Sequence, residues 1–276
     1  MIYALCIRLC ACSISVLALS YVNGCVTKKP KTYVGERINI VNNSWITHVQ
    51  SGTFYASDLT GKQIVFQWHS VQNNPEKLNS LIKSASNMLA QVYTQQELDF
   101  ARKYPEAVAT EMFLKPLESL FSKGPDSVDW SEAEHKLKAY FEQFFTNTDF
   151  GKFTNQAEIQ LWLFAKDAIT DQNLGVIQFM VAPDYAYGNV KVGMFVMSAQ
   201  AQNSNINLLL LSSIFYLLPD ATRLFLHTRI TDKQALDLYE SLGFLAFEGP
   251  LPYWADREYK TEYADILQKT AKEFSK

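Results

Sequence analysis

Val190-Lys191-Val192-Gly193-Met194-Phe195-Val196-Met197, then Ser198-Ala199-Gln200-Ala201-Gln202-Asn203-Ser204-Asn205, then an apolar run from Ile206 to Leu218 decide how this chain is read. The first segment is rich in residues that favour strands. The second is small and polar, a loop composition. The third has only Asn207, Ser212 and Ser213 as polar relief and predicts a helix over 206–218. A second strand over 222–228 and a second helix over 233–242 follow. That helix carries Ala235, Leu238, Tyr239 and Leu242 on one face and ends at Gly243, the usual left-handed cap. The spacing therefore predicts a βαβα unit. Its loop leads into a helix N-terminus, where backbone N–H groups and the helix dipole favour anions.

Two stretches of this unit carry a resemblance. Ala235-Leu236-Asp237-Leu238-Tyr239-Glu240-Ser241-Leu242-Gly243-Phe244 resembles the A-x-x-L-Y-x-x-x-G-F segment of the GNAT superfamily of N-acetyltransferases. Gln202-Asn203-Ser204-Asn205-Ile206-Asn207 stands where that family carries Q/R-x-x-G-x-G/A, its acetyl-CoA pyrophosphate cradle, with Asn in place of both glycines. The resemblance implies an α/β (α+β) fold, a mixed and mostly antiparallel sheet flanked by helices. It also implies acetyl-CoA as a substrate, with direct attack of an amine on the thioester. In that reading the backbone of Phe195, Val196 and Met197 holds the pantetheine arm. Gln202, Asn203, Ser204, Asn205, Ile206 and Asn207 cradle the pyrophosphate, and Tyr239 protonates the leaving thiolate. Asp232 takes the place of an Asn that contacts the pantetheine arm in the family; an ionised carboxylate accepts hydrogen bonds but donates none. Asn is the residue after glycine that best tolerates left-handed backbone, so Asn205 and Asn207 are mild replacements.

Other readings of the same residues stay open. Asn and Ser favour ordinary turns and helix N-caps. Thr231-Asp232-Lys233-Gln234 reads as a capping box. Tyr239 fits the core stripe of its helix. No Lys or Arg occurs between Lys191 and Arg223, so the loop brings no cation to a pyrophosphate. The strand 190–197 has no carboxylate to serve as general base. His48, His69, His135 and His227 are scattered with no metal-ligand spacing, and His227, on the second strand of the unit, reads as a packing residue or, less often, as one that approaches the site. A GNAT-shaped, non-catalytic binding or structural module of the cell envelope fits these features as the alternative to an enzyme.

The rest of the chain sets the context. It has 276 residues and 48% hydrophobic content, enough for one large core. A net charge of −3 gives no basic pull toward nucleic acid. Arg8 precedes an apolar run over 9–19, too short for a spanning helix, and all four cysteines lie within the first 25 residues. Val22-Asn23-Gly24-Cys25 resembles a bacterial lipobox, which implies diacylation of Cys25 and an exported lipoprotein held to the membrane by that lipid. A plain N-terminal anchor is the other reading. Acetyl-CoA is a cytoplasmic metabolite, so export favours the non-catalytic alternative.

The expected organisation is a signal peptide over 1–24, a tether and β-rich arm over 25–61, and a GNAT-like domain over 62–254. That domain holds an extra helical block at about 94–150, and a terminal helix spans 255–276. Short β runs occur through 38–68, and helices are predicted over 75–93, 94–103, 105–122 and 131–145. Segments 158–165 and 175–181 form a hairpin around Asp171. The helix 206–218, apolar on every face, needs cover on every face, and the helical block is its expected cover.

The lipobox reading makes a direct prediction. Cys25→Ser should leave the chain uncleaved and unlabelled by radioactive palmitate, whereas cleavage after Gly24 with continued labelling would contradict it.

Overall fold

The computed structural model describes residues 51–71, 75–150, 159–182, 185, 188–201, 204–247 and 252–274. The signal segment with Cys25, the β runs before residue 51, and Gln202 and Asn203 of the loop lie outside these residues. In chain order the elements are β1 (Ser51–Ser57), β2 (Gln63–Ser70), α1 (Pro75–Lys103), α2 (Glu118–Phe121), α3 (Trp130–Asn147), β3 (Ile159–Asp167) and β4 (Asn173–Val181). There follow β5 (Asn189–Met197), α4 (Ile206–Leu217), β6 (Arg223–Arg229), α5 (Lys233–Ser241), β7 (Leu245–Phe247), β8 (Trp254–Lys260) and α6 (Ile266–Ala271). All eight strands form one sheet in the order β1-β2-β3-β4-β5-β6-β8-β7. Only β5 and β6 run parallel; every other neighbouring pair is antiparallel. This is the mixed, mostly antiparallel sheet flanked by helices that the sequence led us to expect, with its helical block between β2 and β3. Among the described residues no helix is long and apolar enough to cross a membrane.

Two cores sandwich the sheet. Strand residues of one parity pack against α4 and α6, around Phe54, Phe179, Leu210 and Tyr259. Residues of the other parity pack against α1 and α3, around Leu89, Phe141, Trp162 and Phe164. On β5 the parity changes. Phe179 pairs with Val192 but Gln178 pairs with Met194, so Gly193 is an extra residue with no partner on β4. Such a bulge carries the strand across one side-chain position. Val190 and Val192 belong to the first core, and Val196 two pleats later belongs to the second.

Four expectations need correction. The segment expected as a terminal helix forms β8 from Trp254 to Lys260, and only Ile266–Ala271 is helical. The apolar spacing of Tyr259, Tyr263 and Ile266 suits a helix, but β6 needs hydrogen-bonding partners along its outer edge. The side chains of 254–260 complement that edge at every second place: Trp254 lies opposite Arg229 and Asp256 opposite His227. Second, the helices expected at 75–93 and 94–103 are one continuous α1, since Thr94 is tolerated inside a buried stripe. Third, the helix expected over 105–122 is two 3-10 turns, Pro105–Ala109 and Met112–Leu117, followed by α2; Pro116 has no N–H to continue a ladder. Fourth, α4 is covered by the sheet and by α6 with Phe274, on the face opposite the helical block. The helical block is placed instead over the face where the site forms.

Candidate active site

β5 and β6 pair only over residues 189–192 and 223–226. Beyond that point the two strands part. Residues 193–197 keep their bonds to β4 through Met194, Phe195, Val196 and Met197, while their other edge has no partner strand among the described residues. A cavity of about 460 Å³ opens at this gap. One wall is the sheet, from residues 192–196 of β5 and 226–228 of β6. The opposite wall is the helical block: Tyr93, Gln96 and Glu97 of α1, the 3-10 turn at Met112 and Phe113, and the aromatic end of α3. Asp232 and Tyr239, at the start and near the end of α5, face the same space.

Tyr239 is 5% exposed, and its ring lies 6.3 Å from that of Phe195 and 5.3 Å from that of Phe244. Its hydroxyl makes no hydrogen bond among the described residues. Burial, then the charges of Asp232 and Tyr93, push the phenol above its ordinary range, so it keeps its proton at any physiological pH. Asp232 is the N-cap of α5 and accepts from Ala235 N–H at 2.9 Å. The cap is therefore Asp232 itself rather than Thr231. Its Oδ2 accepts from Gln96 Nε2 at 3.2 Å, which ties α5 to α1. Burial, and to a lesser degree the Asp99 charge, raise the Asp232 carboxyl above the usual range against the lowering effect of its bond to Ala235 N–H.

The expected acetyl-CoA groups divide. Phe195 and Val196 line the cavity, whereas Met197 packs against the core on the other face. Ser204, Asn205, Ile206 and Asn207 lie at the start of α4, outside the cavity lining. Asn205 has φ −82°, and neither Asn is among the described residues with positive φ. Their tolerance of left-handed backbone is not used, and their side chains make local hydrogen bonds instead. Asn205 Oδ1 accepts from Leu59 N–H of the β1–β2 turn at 3.0 Å. Asn207 Oδ1 accepts from Leu208 N–H at 2.7 Å, and Ser204 Oγ lies 3.4 Å from Ile206 N. Two of the first-turn amides are thus occupied by the helix's own polar side chains.

The structure also brings in residues that the sequence reading missed. Arg229 is 0% exposed at the end of β6. Its Nη2 donates to Glu97 at 3.0 Å and 3.2 Å, and Nε donates at 3.3 Å. Nη1 forms an ion pair with Glu111 at 2.9 Å, short of hydrogen-bond alignment. The guanidinium is stacked between Phe100 at 4.1 Å and Trp254 at 4.3 Å. Burial raises the Glu97 carboxyl, and Arg229 opposes that shift. His227, read above as packing, pairs through Nδ1 with the buried Asp256 and also lines the cavity. A strand assignment for 254–260 was the signal that would have placed Asp256 opposite His227. Among the described residues no cluster of three or more His, Cys, Asp or Glu side chains could hold a metal ion.

The element order, the parallel pair that opens after four residues and the helix starting behind it agree with what the motif resemblance implied. The fold is GNAT-like. No protein-family model matches the chain, and no curated protein sequence matches it. Several solved structures are similar to it. The GNAT domain of S. lividans PAT is 11% identical, with 75% of this chain and 96% of that one covered at a TM-score of 0.40. The PaiA N-acetyltransferase of Thermoplasma acidophilum, in complex with coenzyme A, is 14% identical, with 70% and 98% covered at 0.37. A variant of the SpeG spermidine N-acetyltransferase of Vibrio cholerae is 13% identical, with 62% and 94% covered at 0.33. Likenesses at this level say nothing of activity or substrate.

Removing one partner from a buried ion pair strands the other charge without solvent. Glu97→Ala should therefore destabilise the protein by about 3 kcal/mol or more, and Glu97→Gln, which keeps an acceptor for Arg229, should cost less. Urea unfolding of the three proteins checks both the size and the order.

Proposed function

We propose that this chain is a GNAT-type N-acyltransferase that moves an acetyl group from acetyl-CoA to an amine. The observation that carries the reading is Tyr239, whose hydroxyl has no partner among the described residues, in the cavity at the gap between β5 and β6. The pantetheine arm would lie along the free edge of residues 193–197, bonded to backbone groups that have no partner strand. The amine nitrogen attacks the thioester carbonyl and the C–S bond breaks. Tyr239 gives its proton to the departing sulfur, and His227, backed by Asp256, accepts a proton from the nitrogen. The products are an amide and the free thiol, and proton exchange with water returns both side chains to their starting forms. Asp256 fixes the His227 ring so that its other nitrogen is the one available to the cavity.

A specific observation favours a second reading. In the first turn of α4 the Ile206 and Leu208 N–H groups donate to Ser204 Oγ and Asn207 Oδ1, so fewer N–H groups are available to a pyrophosphate. Together with the proposed lipid at Cys25 and export to the bacterial envelope, this supports a GNAT-shaped module that binds without catalysis.

Thiol release from acetyl-CoA, measured on the full chain with a panel of amines, separates the two. Tyr239→Phe keeps the ring and removes the proton. Turnover should fall about 10²–10⁴-fold if transfer to sulfur limits the rate, with acetyl-CoA affinity little changed. A wild-type protein that neither binds acetyl-CoA nor releases thiol contradicts the enzyme and leaves the binding module.

A further inference from the structure

We infer that the cavity is built for a cationic monoamine with an aromatic or bulky apolar body. The inference rests on the acyl-transfer reading, in which this amine is the acceptor: the bound ammonium first gives one proton to water, and the neutral nitrogen then attacks. Its two ends differ in chemistry. Around the last turns of α1, carboxylates gather. Glu97 and Glu111 share Arg229, and Asp232 is bonded to Gln96 next to Glu97. No lysine or arginine lines the space among the described residues. Arg229 cannot serve as a free cation, since it is fully buried and already faces two carboxylates. For these three carboxyl groups there is one guanidinium; burial raises Glu97 and Asp232, and a positively charged guest beside them favours their ionised forms.

The other end is aromatic. Phe141, Phe144 and Phe145 of α3 line it with Phe150 and Trp162, the last two in edge-to-face contact at 5.5 Å. Tyr93 joins the two ends: its ring packs 5.5 Å from both Phe141 and Phe145, and it lines the cavity beside Glu97. An ammonium held there meets carboxylates on one side and a phenol face on the other, a favourable place for a cation. Tyr239, 5% exposed as a residue, also lines the cavity and brings a phenol hydroxyl to the same guest. A polyamine needs carboxylates spaced along its length, and here they sit at one end only. A carboxylate guest would meet Asp232, and no lysine or arginine among the described lining residues would offset the two charges. The volume, about 460 Å³, accepts an aryl-alkyl body as well as the ammonium.

Calorimetric titration of the full chain without coenzyme A tests the inference, because guest binding then stands or falls apart from acyl transfer. The probes are phenethylamine, phenylpropionate, ethylamine and spermidine. Phenethylamine should bind, and each of the others should bind at least about tenfold more weakly, one lacking the charge, one the apolar body and one the single-headed pattern. Asp232→Asn keeps a good helix cap and should weaken phenethylamine by about tenfold while leaving neutral phenethyl alcohol unchanged. Phe144→Ala should weaken phenethylamine by a similar factor and leave ethylamine unchanged. Thermal melts confirm that each variant is folded, and the comparison of probes on the unmodified chain needs no variant. Phenylpropionate or spermidine binding as well as phenethylamine overturns the inference, as does no binding of phenethylamine. Phenethylamine bound selectively with no thiol release supports the inference and sinks the enzyme alone.

Discussion

The guanidinium of Arg229, closed in by Phe100 and Trp254 and bonded to Glu97, fixes the functional face of this molecule. It sits at the end of β6, just past the point where that strand has left β5. Its partners come from α1 and from the turn before Met112, so one side chain locks the helical block against the sheet beside the gap. Removing these charges from water costs several kcal/mol per ion, and an apolar replacement of equal volume would often be as stable. What the cluster supplies is a definite position. Ridges of apolar side chains allow α1 to slide, whereas a two-carboxylate fork on one guanidinium allows one register. The cavity wall made by Tyr93, Gln96 and Glu97 is set by that register.

The gap itself follows from two local features. The pairing of β5 with β6 ends at Val192 and Leu226, and the next residue on β5 is the bulged Gly193. A Cβ at Gly193 would fall 2.5 Å from Met180 Cε and 2.7 Å from Gln178 Oε1, so the bulge draws β4 side chains close where a larger residue would push them away. After the bulge, Met194 and Val196 turn to the helical block, and Phe195 turns toward Tyr239. Met194 and Val196 are therefore lining residues that an unbulged strand would have sent to the opposite core. Burial of Tyr239 and of Asp232 at one end of this space raises both groups, so the site holds its protons more tightly than water would.

Much of this was legible in the residues. The unit from Val190 to Phe244 could be read because each element there carries its own period and its own stop signal; Gly243, at φ +87°, ends α5 as its position implied. The sheet class was what the family resemblance implied, and the helical block followed from the apolar periodicity of 75–145. Three things could not be read locally. Residues 254–260 have a helix-like apolar spacing, and only the open edge of β6 makes them a strand. Asp256 stayed hidden for that reason, and with it the partner of His227. Arg229 looked like any strand-end cation because its partners lie 132 and 118 residues away, on segments whose approach depends on the whole fold. Asn205 was judged by backbone tolerance alone, while its side chain had a hydrogen bond waiting on the β1–β2 turn.

The central claim is that the free edge of β5 beyond Val192 is a binding edge for the thioester arm. Amide hydrogen exchange of the full chain, followed by mass spectrometry over peptides covering residues 193–197, tests it most directly. The account predicts that saturating acetyl-CoA slows exchange in this segment and leaves the antiparallel strands β2 and β3 unchanged. Binding of acetyl-CoA seen by calorimetry, with exchange over 193–197 unaltered, would contradict it.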